Sequence, residues 1–61
     1  MTPEDKQKIH AAVSAYQHEA NKRNIGPAYY EAAAHLSRIC KAHGIDTLEA
    51  ERIAWEVVCD G

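Results

Sequence analysis

The chain has no phenylalanine, one tryptophan and three tyrosines, and only ten of its 61 residues are isoleucine, leucine or valine. Eleven of its apolar residues are alanines, which favour helices but contribute little side-chain area to a core. A chain this short buries only about 60% of the surface its unfolded form exposes, near the lower limit for folding alone. Ordering it costs on the order of 1.5 kcal/mol per residue, which the available apolar burial roughly matches. The expectation is one domain over residues 1–61, with no room for a cleft walled on several sides. Self-association or a partner would supply the burial that the core lacks.

Other scarcities exclude further classes. The three glycines, Gly26, Gly44 and Gly61, are isolated, so there is no glycine-rich phosphate loop. Two cysteines, Cys40 and Cys59, make no disulfide framework and are expected as reduced thiols in or near the core. No apolar run is long enough for a membrane span. Met1, Thr2, Pro3, Glu4 and Asp5 lack the basic segment and apolar run of a secretory signal, which makes a cytoplasmic location the expectation. The formal charge is -2, and the whole surplus falls in residues 32–61, where Arg38, Lys41 and Arg52 meet Asp46, Glu49, Glu51, Glu56 and Asp60. Nonspecific nucleic-acid binding needs a cationic footprint, and none is present. A low content of branched aliphatics signals disorder only beside a high net charge, so the chain reads as folded.

What is present is helical punctuation. Thr2, Pro3, Glu4 and Asp5 supply a hydroxyl N-cap, a proline at the first helical position and carboxylates at the positive end of the dipole. Ile9, Ala12, Val13, Tyr16 and Ala20 then form one narrow apolar stripe, and the helix is expected over about 3–23. Pro27 starts a second helix, about 27–43, that aligns Tyr29, Ala33, Leu36, Cys40 and His43, flanked by Ala32 and Ile39. Gly44 ends it as a left-handed cap. Asp46 with Glu49 has capping-box spacing, Ile45 can staple onto Ala50, and a third helix follows over about 47–59. The fold class is all-α, a compact three-helix domain.

The third helix differs from the other two. Ala50, Ile53, Ala54, Val57 and Val58 make the expected core stripe, but Leu48, Trp55 and Cys59 make a second one. Only a narrow arc with Glu49, Arg52, Glu56 and Asp60 is left polar. Two accounts compete: Trp55 closes over a small core, or it centres an exposed apolar patch that meets another protein. Glu56 and Asp60 lie near the negative end of the helix, where carboxylates are mildly unfavourable; surface drift or a basic partner would explain them.

From Leu36 to Ile53 the spacing resembles the helix-turn-helix family of DNA-binding domains. Ile39 and Cys40 lie in the first helix, Gly44 and Ile45 at the turn, and Ala50 and Ile53 in the second helix. The resemblance covers about a third of the chain and implies that the second helix would enter the major groove. It would present Thr47, Leu48, Glu49, Glu51, Arg52 and Glu56, and three carboxylates against one guanidinium oppose the phosphate attraction that supplies most binding energy. The packing motif is expected here without the DNA chemistry.

Remaining candidate sites are thin. His10 and His18 are eight residues apart, as are His35 and His43; that is about 12 Å along a helix and too far for one ion. Only Cys40 and His43 have chelate spacing, and Cys59 as a third ligand would be displaced by roughly 13 Å in an antiparallel hairpin, which also argues against a disulfide. No metal or cofactor is expected. His10, Ser14 and His18 follow one another on an exposed face of helix one, with no orienting third group or oxyanion donors. Glu31, His35 and Arg38 form an outer face on helix two, where a surface ion pair contributes little.

The expectation is therefore a non-enzymatic protein-protein interaction module that forms a homodimer. Its binding residues would be Leu48, Glu49, Arg52, Trp55, Glu56 and Cys59. The alternatives are a helix-turn-helix DNA-binding regulator and a small acidic inhibitor that occupies the nucleic-acid-binding or regulatory surface of a target protein.

Overall fold

The three helix starts follow the local signals in the sequence, the third only in part. In the computed structural model, which describes residues 1–60, α1 spans Pro3–Ala20, α2 Pro27–His43 and α3 Thr47–Asp60. Thr2 and Asp5 form a reciprocal capping box: the Asp5 backbone N–H donates to the Thr2 hydroxyl at 3.1 Å, and the Thr2 N–H donates to the Asp5 carboxylate at 3.2 Å. The bond from the Thr2 backbone, and then the hydroxyl contact, hold the Asp5 carboxyl below its ordinary pKa. At α3 only half of the expected box forms. The Glu49 N–H donates to the Asp46 carboxylate at 2.8 Å, but the Glu49 side chain turns away to pair with Arg52.

Helix α1 stops at Ala20 rather than near residue 23. Asn21, Lys22, Arg23 and Asn24 are all exposed, so no burial holds another turn, and the Lys22 N–H closes a tight 3.3 Å bond to the Glu19 carbonyl. The end of α2 is sharper. Gly44 has φ 66°, the Ile45 N–H donates to the Cys40 carbonyl at 3.0 Å and the Gly44 N–H donates to the Lys41 carbonyl at 3.2 Å. This is a Schellman motif, and the left-handed glycine is what lets both bonds form. The motif turns the chain so that Ile45 packs back onto the core before Asp46 caps α3.

Helix α1 is the hub. It packs on both α2 and α3, which meet each other only sparingly. The resulting compact all-α three-helix domain measures 34 × 24 × 17 Å. Its core is small: Ile9, Ala12 and Val13 of α1, Leu36 and Cys40 of α2, and Ala50, Ile53 and Ala54 of α3, with Tyr16, Ile39 and Ile45 packed at the margin. Three of these eight buried residues are alanines, so the helices approach closely but exchange little side-chain area. At the far end of the α1 and α2 pair, Tyr16 and Tyr29 stack with ring centroids 5.5 Å apart and hydroxyls 3.4 Å apart, and Tyr30 meets Tyr29 edge-on. The Tyr16 hydroxyl pushes the ionisation of Tyr29 above the ordinary phenol range. Among the described residues, no helix is long and apolar enough to cross a membrane.

Candidate functional site: the outward face of α3

Because Ala50, Ile53 and Ala54 are buried and Val57 half-buried, they define the inward side of α3. At about 100° per residue, Leu48, Trp55 and Cys59 fall within roughly 40° of one another on the opposite side. Leu48 is 76% exposed and Trp55 69%, and Cys59 is exposed beside them. Trp55 therefore does not close over the core, which Ile9, Leu36 and Ile53 seal without it. Val58, expected in the core stripe, is 59% exposed. It lies at the edge of the inward arc, on the side where α1 does not reach far enough to cover it.

Val58 instead helps to form an open groove of about 270 Å³ between α1 and α3. Its walls are His10, Ser14 and Gln17 of α1 and Glu51, Trp55 and Val58 of α3, with the buried Val13 and Ala54 completing the lining. Sequence reasoning left this groove unseen. Its available signal was a matched pair of one-turn spacings, His10–Ser14–Gln17 and Glu51–Trp55–Val58, each at steps of four and three. The His10 Nε2 and Ser14 Oγ atoms lie 3.4 Å apart. Glu31, His35 and Arg38 are all exposed on the far side of α2.

The charges on this face are largely answered within the chain. Arg52 pairs with Glu49, and that hydrogen bond holds the guanidinium further above its ordinary range. The Lys6 ammonium stands 3.6 Å from the Glu56 carboxylate. Exposed pairs of this kind contribute little to stability. Their consequence is electrostatic: two of the three described carboxylates near Trp55 have an internal cation, and Glu51 at the groove is the third. The Asp60 side chain and Gly61 lie outside the described residues.

The two thiols differ in kind. Cys40 is buried and donates a long 3.8 Å contact to the Asp46 carbonyl, while Cys59 is exposed, and neither is in a disulfide. Burial, with a smaller contribution from Asp46, pushes the Cys40 thiol up, so its nucleophilic thiolate is scarcer still at neutral pH. A thiol reagent such as Ellman's is expected to titrate one cysteine per chain promptly in buffer and the second only in denaturant. Prompt reaction of both would mean that the Cys40 region opens freely. Among the described residues, no group of three or more histidine, cysteine or acidic side chains is placed to hold a metal ion.

Comparison with models of known protein families, with curated proteins and with solved structures returns no match.

Proposed function

We propose that the protein is a non-enzymatic interaction module that works as a homodimer, with the outward face of α3 as its binding surface. The observation that carries this reading is the exposure of Leu48, Trp55 and Val58 on one short helix of a domain whose core is rich in alanine. Aromatic side chains presented in this way are the commonest anchors of protein interfaces. A contiguous apolar patch on a small domain carries a solvation cost that association removes. The proposed contact residues are Leu48, Trp55 and Cys59, rimmed by Glu49, Arg52 and Glu56.

Two features favour a second copy over the alternatives. Glu49 and Glu56 already have Arg52 and Lys6 as neighbours, which weakens the case for an acidic inhibitor mimicking nucleic acid. A helix that offers a tryptophan and a leucine between carboxylates is poorly matched to a phosphate-lined groove, which weakens the DNA-binding reading. The proposed location is the cytoplasm, where both free thiols would persist. The test is the mass in solution: light scattering on the purified chain at rising concentration should approach twice 6.8 kDa. A monomeric mass up to several hundred micromolar overturns the homodimer.

A further inference from the structure

Leu48, Arg52, Trp55 and Cys59 follow one another along α3 at steps of four, three and four, and all four are exposed. Steps that alternate between four and three are those of the seam between paired helices. The row spans about 16 Å and points away from the core, so another helix can lie along it. An occupant must bury Leu48 and Trp55 and also answer a guanidinium in the middle of the seam.

We propose that this occupant is α3 of a second copy, packed antiparallel, with the two-fold axis crossing the outward interface at the level midway between Ile53 and Ala54. The proposal rests on the reading that α3 is a self-association face and adds its register. In this register Leu48 faces the partner's Cys59, and Trp55 faces the partner's Arg52, each contact occurring twice. The Arg52 guanidinium is held along its edge by Glu49 and keeps its flat face available to stack on an indole. A two-fold axis of this kind brings like flanks together. Arg52 and Glu56 share one flank, and their axial levels place Arg52 within about 1.5 Å of the level of the partner's Glu56, giving two further ion pairs. On the other flank the two Glu51 side chains are about 7 to 8 Å apart in level, and each lies nearer the partner's Val58.

A parallel pairing fails on charge. It sets Arg52 against Arg52 and the Glu56 flank against the partner's Glu51 flank, and like charges facing across an interface are strongly disfavoured. In the antiparallel register Glu49 also comes within about 3 Å of the level of the partner's Glu56, so each flank gathers Glu49, Arg52, the partner's Glu56 and the Lys6 beside it into one cluster of two acids and two bases. Two fourteen-residue helices bury on the order of 1,000 Å² in total, at the low end for specific interfaces, so the dimer is a micromolar, concentration-dependent one.

Cysteine trapping reads the register directly. In the antiparallel arrangement the two Cys59 residues are about 16 Å apart, beyond disulfide reach, whereas position 48 lies against Cys59 of the second copy. The wild-type chain treated with diamide should run as a monomer on a non-reducing gel, and Leu48→Cys should run as a covalent dimer. Leu48 is exposed, so the substitution spares the fold. A covalent wild-type dimer, or no covalent dimer from Leu48→Cys, overturns the register. A second arm uses charge: Arg52→Glu should weaken dimerisation by at least ten-fold, and adding Glu56→Arg should restore it to within about three-fold of wild type. Failure of the double variant to recover also overturns the register. A wild-type chain that dimerises by sedimentation but fails these arms loses only the register, whereas one that remains monomeric loses the self-association reading itself.

Discussion

Replacing Trp55 with alanine should weaken dimerisation by at least 30-fold while leaving the helical circular dichroism signal of the chain unchanged. Truncating an aromatic anchor at the centre of an interface typically costs 2 kcal/mol or more, and about 2 kcal/mol corresponds to roughly 30-fold in the dissociation constant. The fold should not register the change, because Trp55 is 69% exposed and belongs to no part of the buried cluster. Sedimentation velocity and far-ultraviolet circular dichroism on the same samples separate the two effects. Loss of helix on Trp55→Ala would mean that the indole supports the domain, and unchanged dimerisation would mean that the interface lies elsewhere. The melting temperature of the wild type should rise with concentration, since association stabilises the folded form by mass action, and that of Trp55→Ala should not.

The opposite outcome is expected of a smaller side chain. Ile9 is fully buried at the centre of α1, the helix that holds the other two together. Ile9→Ala removes transfer energy and leaves a cavity among neighbours that are already small, for a loss of about 3 kcal/mol. A chain of 61 residues has a total stability of roughly 3 to 9 kcal/mol. The variant should therefore be largely unfolded, or melt at least 15 °C below wild type, in a thermal scan at fixed concentration. A near-normal melt would show that the domain draws its stability from α3 contacts rather than from the α1 core. The larger residue is thus dispensable for folding and the smaller one is not, because burial rather than size decides.

How far the fold could be read in advance depended on how local each signal was. Thr2 with Asp5, Pro27, Gly44 and Asp46 each act through neighbours a few residues away, and each helix boundary they mark is found within a residue. The end of α1 had no such signal. Lys22 and Arg23 suit a helix C-terminus, but nothing apolar at 21–24 ties another turn to the core. Val58 shows a second limit. Periodicity places it on the edge of the inward stripe, yet whether an edge residue is covered depends on where a different helix lies. The same holds for Trp55, whose line with Leu48 and Cys59 is a property of α3 alone while its exposure is a property of all three helices. The groove beside it joins α1 residues 10–17 to α3 residues 51–58, and the ion pair joins Lys6 to Glu56, 50 residues on, so no spacing within one helix shows that these rows meet.

The most direct test of self-association through α3 is the concentration dependence of the wild-type mass by multi-angle light scattering. The account predicts a weight-average mass that climbs from 6.8 kDa at low micromolar concentration toward twice that value at several hundred micromolar. A mass that stays at 6.8 kDa over the whole range contradicts it.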